Sequence, residues 1–269
     1  MSQHATAPAA TFGHALRSEW QKMASLKSFW YTLVLTAVVG VGIGSLASLD
    51  AAQTYRNGAD ARRAAFDPTY ESLFTGLIFG MLAMVVLGVL AMTSEYSTGM
   101  IRTSLAAVPR RGRLLAAKAT VVTLAGLTVG IPVGFAMFFA GQGVFAAQDV
   151  PFSTLDQPGV LRAVVGVGLV MTAVALLGLG VGTLVRATAG GIAVMFTATL
   201  LVPTAILPSL PSVIGKPLLK FWPSSAGMQV LSPEGNPGFL PPLGGLLWLY
   251  VVAAIVLAVT FAVFRSRDV

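Results

Sequence analysis

Six long stretches without a charged residue fill most of this 269-residue chain. Each is long enough for the roughly 20 residues that an α-helix needs to cross a bilayer. A charged side chain at the centre of such a helix costs about 2.5–3.5 kcal/mol, so the flanking charges mark the ends of the spans. None of the stretches shows the strict alternation of a barrel strand, and we predict six transmembrane helices. The stretches are residues 28–49, 72–94, 119–148, 163–185, 187–215 and 235–264.

The composition favours lipid as the solvent for much of the chain. Charged residues make up 10% and hydrophobic residues 55%, and the mean hydropathy is +0.81. A soluble protein carries roughly 25% charged residues. No polar stretch is long enough for a separate core, so we predict an N-terminal segment, residues 1–27, followed by one transmembrane domain, residues 28–269. Cysteine is absent, which excludes disulfides and thiolate ligands.

Lysine and arginine predict the orientation. With six spans both termini lie on one side, and that side holds eleven of the 17 basic residues. They are Arg17, Lys22, Lys27, Arg102, Arg110, Arg111, Arg113, Lys118, Arg186, Arg265 and Arg267. Because basic residues concentrate in cytoplasmic loops, we expect a multi-pass protein of the inner or plasma membrane with both termini cytoplasmic. The first span is longer than a signal-peptide core, so we expect it to be uncleaved.

The segment before the first span predicts a helix at the membrane interface. Its large apolar residues recur at helical spacing, but Glu19 and Lys27 lie near the same face, so the amphipathicity is imperfect. They are Phe12, Leu16, Trp20, Met23, Leu26 and Trp30. We assign Trp20 and Lys22 to this interfacial helix, and a plain juxtamembrane leader is the alternative.

Nine prolines precede or open the sixth span, at positions 203, 208, 211, 217, 223, 233, 237, 241 and 242. Proline breaks helices, and apolar residues lie between these prolines. We therefore predict a broken, re-entrant segment before the sixth span, with a proline-rich surface loop as the alternative.

Glycine pairs four residues apart predict close approach of helices. They are Gly40/Gly44, Gly76/Gly80, Gly126/Gly130/Gly134 and Gly178/Gly182. We expect one of these pairs to lie at a subunit interface.

The loop between the second and third spans carries a short amphipathic helix in our interpretation. Ile101, Leu105 and Val108 form one apolar stripe, and Pro109 should end the helix. Basic residues follow. A stiff helix here could be a handle for a partner protein, and basic residues beside a membrane also bind anionic lipid. The residues alone favour neither reading.

This loop resembles that of the membrane subunits of ATP-binding cassette transporters, in the class called type-2 ABC exporters. The pattern is Glu-aromatic-x-x-Gly, then Leu-x-x-x-Pro, then Arg-x-x-x-Leu-x-x-x-Lys. The matching residues are Glu95, Tyr96, Gly99, Leu105, Pro109, Arg110 or Arg111, Leu114 or Leu115, and Lys118. The opening residues 17–22, the six spans and the proline-broken segment are also similar, so the resemblance covers essentially the whole chain.

The resemblance implies a permease that works as a dimer on separate ATP-hydrolysing subunits. ATP-driven closure would reach the membrane through the interfacial helix and the loop after the second span. Spans two and five would line the path, with the broken segment as outer gate. Glu95, Gly99 and Pro109 would shape a cytoplasmic coupling helix, and the arginines would meet the ATPase or lipid headgroups. These arginines are Arg102, Arg110 and Arg111.

The motifs that are missing fit a transport subunit rather than an enzyme. The chain has no phosphate-binding G-x-x-x-x-G-K-[ST] motif, so the ATPase would be another chain. The two histidines, His4 and His14, lie in the leader, and we expect no catalytic residue, cofactor or metal. The uncharged span centres suggest a hydrophobic or amphipathic substrate, such as a drug, antibiotic or lipid-like molecule. An ion-coupled transporter or channel and a non-transport membrane scaffold are the alternatives.

Overall fold

A computed structural model describes residues 11–101, 103 and 111–266. These residues form helices and short connections, without a strand among them. Six helices are long and apolar enough to cross a membrane. The predicted all-α fold with six transmembrane helices is therefore confirmed.

The helices follow one another closely along the chain. They are α1 (Phe12–Ser25), α2 (Lys27–Asn57), α3 (Asp60–Ala64), α4 (Pro68–Ser97), α5 (Arg111–Ala147), α6 (Val160–Val185), α7 (Thr188–Phe196), α8 (Ser212–Phe221), α9 (Pro223–Met228) and α10 (Pro242–Ser266). A π-helix, Thr197–Ile206, and a last turn, Leu207–Ser209, extend α7. The six spans are α2, α4, α5, α6, α7 with this extension, and α10.

Several helices are longer than the apolar stretches that predicted them. The uncharged stretch of the first span ends at Leu49, but α2 continues to Asn57, and α5 begins at Arg111 rather than Ala119. Charges mark where lipid contact becomes costly, whereas a helix can continue into water. The fifth span is shorter than predicted and ends at Ser209, because Leu210, the residue before Pro211, adopts an extended backbone.

The most buried span, α6, lies at the centre of the bundle and packs against α4, α5 and α10. Small residues allow its backbone to approach the neighbouring helices. A Cβ atom on Gly88 of α4 would lie 1.9 Å from the carbonyl oxygen of Ala175 in α6. Glycine is therefore the residue that fits this crossing.

All four sets of spaced glycines face neighbouring helices of the same chain. Gly40 and Gly44 meet Gly76 where α2 crosses α4, and Gly130 meets Gly168 where α5 crosses α6. The set Gly178/Gly182 in α6 likewise meets α4. The prediction that one pair serves a subunit interface is wrong, because these faces are already used inside the bundle.

The first helix, α1, packs on α5 at the end of the bundle that carries most basic residues, here called the basic end. Ala15, Glu19 and Met23 form its buried stripe, with Ala15 against Ala117. Trp20 is exposed. The predicted helix is therefore present over Phe12–Ser25, but the stripe that faces the bundle includes a carboxylate.

Candidate functional site

Four charged side chains from three helices meet at the basic end of the bundle. Glu19 and Lys22 belong to α1, Glu95 to the last turn of α4, and Lys118 to the second turn of α5. We call these four residues the inner charge cluster. Its two carboxylates and two ammonium groups balance in formal charge, which is what a buried ionic group requires.

Lys118 is the centre of the inner charge cluster. Its side chain is almost fully buried, with 1% of its surface exposed. The Nζ atom lies 2.6 Å from Glu19 Oε2 and 2.6 Å from Glu95 Oε1, and it donates to the carbonyl oxygen of Ala91 at 3.0 Å. One ammonium group thus ties α1 and α4 to α5. Removing it would leave two buried carboxylates with only Lys22 between them.

Lys22 closes the cluster on the solvent side. Its Nζ atom lies 2.6 Å from Glu19 Oε1 and 3.3 Å from Glu95 Oε1. Burial opposes the charge on Lys22, but hydrogen bonding and attraction to Glu19, and then attraction to Glu95, outweigh it. The pKa of Lys22 is therefore raised above its ordinary value, and the cluster holds this side chain protonated.

Aromatic side chains hold α1 in the position that the cluster needs. The chain turns at Leu26, whose extended backbone separates α1 from α2. The Trp30 indole donates to the carbonyl oxygen of Ala24 at 2.8 Å. The ring of Phe29 packs edge-on against Trp20, with centroids 6.1 Å apart. The turn between the two helices is therefore fixed by contacts on both sides.

The loop that follows Glu95 begins with a left-handed turn. Gly99 has a φ of +71°, a conformation that favours glycine. A Cβ atom there would meet nothing within 4 Å, so backbone conformation and not space explains the residue. The helix α4 ends at Ser97 with Thr98 as its cap, and the turn at Gly99 follows directly.

The structure brings together part of the predicted site. Glu95 and Lys22, which the sequence assigned to different elements, lie 3.3 Å apart. Arg111 begins α5, and its Nη1 atom donates to the carbonyl oxygen of Phe264 in α10 at 3.1 Å. Trp20 lies outside the cluster on α1. The remaining predicted residues, Arg102, Pro109 and Arg110, lie outside the described residues.

Sequence reasoning missed Glu19 and Lys118 as members of a site. Glu19 stood out only as a charge near the apolar face of a helix. Lys118 appeared only as the last position of the family pattern, at the start of a long uncharged stretch. Arg186 was also missed: its guanidinium lies over the Tyr96 ring, 5.4 Å from the centroid, which links the turn after α6 to the end of α4.

A second feature lies toward the opposite end of the bundle. A cavity of about 200 Å³ is bounded by α4, the π-helix and α9. Tyr70 and Phe74 stack there with ring centroids 4.8 Å apart. Thr199, Thr204 and Gln229 contribute polar atoms, and the lining includes no charged residue.

The broken segment supplies the hydrogen bonds that Pro203 cannot make. Pro203 lacks an amide hydrogen, so the carbonyl four or five residues before it loses its helical donor. Trp222 Nε1 donates to the carbonyl oxygen of Ala198 at 2.7 Å, and Ser224 Oγ donates to that of Thr199 at 3.2 Å. The start of α9 is therefore tied to the distorted part of the fifth span.

Arg162, at the start of α6, holds the later part of the broken segment, which follows α9. Its Nη2 atom donates to the carbonyl oxygens of Ser232 and Pro233, at 3.1 and 2.7 Å.

In the described part of the chain, no group of three histidine or acidic side chains is placed to hold a metal ion. The chemistry of both features is thus hydrogen bonding, ion pairing and apolar contact.

Six apolar helices that cross one another at glycine contacts define a multi-pass helical membrane protein. A family model described as "ABC-2 family transporter protein" matches residues 15–210, and the chain belongs to this family. The predicted resemblance is confirmed. Members of the family are membrane transport subunits that generally partner with an ATP-binding subunit. No curated protein matches the chain closely enough to refine this assignment.

Proposed function

We propose that this chain is the permease of an ATP-driven exporter, works as a dimer with a second permease, and receives its energy from a separate ATP-hydrolysing subunit. The single observation that carries the proposal is the inner charge cluster. It joins α1 to the last turn of α4, directly before the loop that should meet the ATPase. Glu95, Gly99, Arg102, Pro109, Arg110 and Arg111 form that contact region in this proposal.

The cluster is suited to transmit movement because its members belong to separate helices but share buried partners. A displacement of α1 moves Glu19, and Lys118 then couples that displacement to Glu95 and α5. Separating the groups would expose unpaired buried charges, which is costly. The helices at the basic end should therefore move together when the ATPase closes.

The basic end faces the cytoplasm in this proposal. The exposed aromatic residues Trp20, Trp30 and Tyr31 lie close to it, as expected for side chains at a membrane interface. Both ends of the described chain would then be cytoplasmic, where ATP is available to a docked subunit. The membrane is the inner or plasma membrane.

The cavity beside the π-helix supports a hydrophobic or amphipathic substrate. Its aromatic pair offers stacking and apolar contact, and its lining includes no charge that would favour an ionic solute. The broken segment before the sixth span, which Trp222 and Ser224 bind to the π-helix by hydrogen bonds, is a suitable outer gate. Export of a drug, antibiotic or lipid-like compound fits these features.

The alternatives of an ion-coupled transporter and a scaffold have less support. Ion-coupled carriers place ionisable residues along the path. Here the buried Glu19, Glu95 and Lys118 lie at the basic end and are engaged with each other.

The test is to purify the chain from its own membranes in mild detergent and to identify the proteins that accompany it. We expect an ATP-binding subunit to co-purify in a fixed ratio, and its ATP hydrolysis to rise when the transported compound is added. An equally tagged six-span protein of another family is the control. The proposal would be contradicted if the chain were inserted in the membrane and purified from it without any ATPase.

A further inference from the structure

A cavity of about 210 Å³ lies between α1, the start of α2 and the end of α4. Most of its wall is apolar. The apolar wall is formed by Met23, Phe29, Leu87, Leu90 and Ala91. On one side the wall is polar, because Lys22, Glu95 and Lys118 of the inner charge cluster also line the cavity. The cavity is therefore suited to an apolar group, and the charges on the polar side of its wall already pair with each other.

The rim of the cavity lies where the spans pass from lipid to water. Its exposed lining residues are Ser25, Leu26, Ser28, Thr98 and Met100. The first span begins at Lys27 and the second ends at Ser97, so the rim is level with both helix ends. A membrane lipid therefore has direct access, with its chain at the apolar wall and its headgroup at the rim.

The charges around the rim favour an anionic headgroup. The inner charge cluster is balanced, with two lysines and two glutamates. Lys27, which is exposed and lies between the rim residues Leu26 and Ser28, adds a positive charge. Ser28 offers a hydroxyl beside it. A phosphodiester at this position would be attracted to Lys27 and could accept a hydrogen bond from Ser28.

We propose that this cavity holds part of one acyl chain of an anionic phospholipid, with its phosphate beside Lys27 and Ser28. The size fits such an occupant. At about 210 Å³ the cavity exceeds the roughly 150 Å³ that holds a benzene-sized molecule but is below the roughly 300 Å³ of the smallest usual ligand pockets. Because residues of both α1 and α4 line the cavity, a lipid in it would pack α1 onto α4.

The test uses the purified full chain in phosphatidylcholine vesicles that contain a phosphatidylglycerol with a photoreactive diazirine on one acyl chain. Parallel samples contain phosphatidylcholine with the same photoreactive chain, or photoreactive free palmitate. After illumination, mass spectrometry locates the label. Ser28→Trp and Thr98→Trp each place a bulky ring at the rim. Thr54→Trp, at an exposed position lining a cavity at the opposite end of α2, is the matched control.

We expect phosphatidylglycerol to label the peptides that contain Met23, Phe29 and Leu87 about fivefold more than phosphatidylcholine does, the preference given by one basic residue near an anionic headgroup. Ser28→Trp and Thr98→Trp should reduce this label to the phosphatidylcholine level, and Thr54→Trp should leave it unchanged. If one of the two rim variants does not fold, the labelling of the other variant alone decides the test.

Three outcomes would overturn the proposal: equal labelling by both phospholipids, unchanged labelling in the rim variants, or labelling of these peptides by palmitate alone. Because the label is read without an ATPase, the result is independent of the proposed coupling function.

Discussion

Replacing Lys118 with methionine should destabilise the folded chain by about 3–5 kcal/mol, the usual cost of removing one partner from a buried ion pair. Lys118 is the group that contacts Glu19, Glu95 and the Ala91 carbonyl together, and it is 1% exposed. Its loss leaves two buried carboxylates with only Lys22 between them. The measurement is the midpoint of thermal unfolding of the detergent-purified chain, followed by intrinsic tryptophan fluorescence.

The matched control is Lys216→Met, the same substitution at an exposed position of α8. It should change the midpoint little, since it removes no buried partner. The double variant Glu95→Gln/Lys118→Met should regain part of the loss, because one of the two carboxylates is then neutral. A midpoint for Lys118→Met equal to that of Lys216→Met would show that the inner charge cluster does not stabilise the fold.

Replacing Glu95 with glutamine should uncouple ATP hydrolysis from transport while the chain still inserts and folds. Glutamine keeps the shape of the side chain but removes the charge that Lys118 and Lys22 share. We expect the solute moved per ATP hydrolysed to fall at least about tenfold, which corresponds to about 1.4 kcal/mol of lost coupling. The measurement is ATP hydrolysis and solute uptake in the same inverted vesicles.

Glu71→Gln is the control for this prediction, because Glu71 lies on the same helix, α4, at the opposite end from the cluster. Its ratio of transport to hydrolysis should equal that of the unchanged chain. Lys22→Gln should act in the same direction as Glu95→Gln, and Pro109→Leu should do so if Pro109 ends the coupling helix. Normal transport per ATP in Glu95→Gln would show that the cluster is not on the coupling route.

The fold was predictable because charge and length decide it. Stretches without charge marked all six spans, and their helical state follows from the need to satisfy backbone hydrogen bonds in lipid. The residues at which the helices begin and end were less predictable. The helix α2 continues past Leu49 to Asn57, since the cost of a charge limits lipid contact and not helix formation.

The candidate site was predictable only in part. The family pattern pointed to Glu95 and to Gly99, whose left-handed backbone explains the residue. The partners of Glu95 could not be read from the sequence, because Glu19 and Lys118 are far apart along the chain and meet only when α1 packs on α5. The available signal was that Glu19, like Lys27, lies near the apolar face of the predicted helix. Which residue pairs with Glu19 depends on how α1 packs against α5.

The central claim is that this chain is moved by nucleotide energy from another protein. The most direct measurement is solute transport into proteoliposomes that contain the purified chain alone, the chain with its co-purified ATPase, or the chain with that ATPase inactivated in its phosphate-binding lysine. We predict ATP-dependent accumulation only with the active ATPase. Accumulation of solute by the chain alone, driven by an ion gradient and without ATP, would contradict the account.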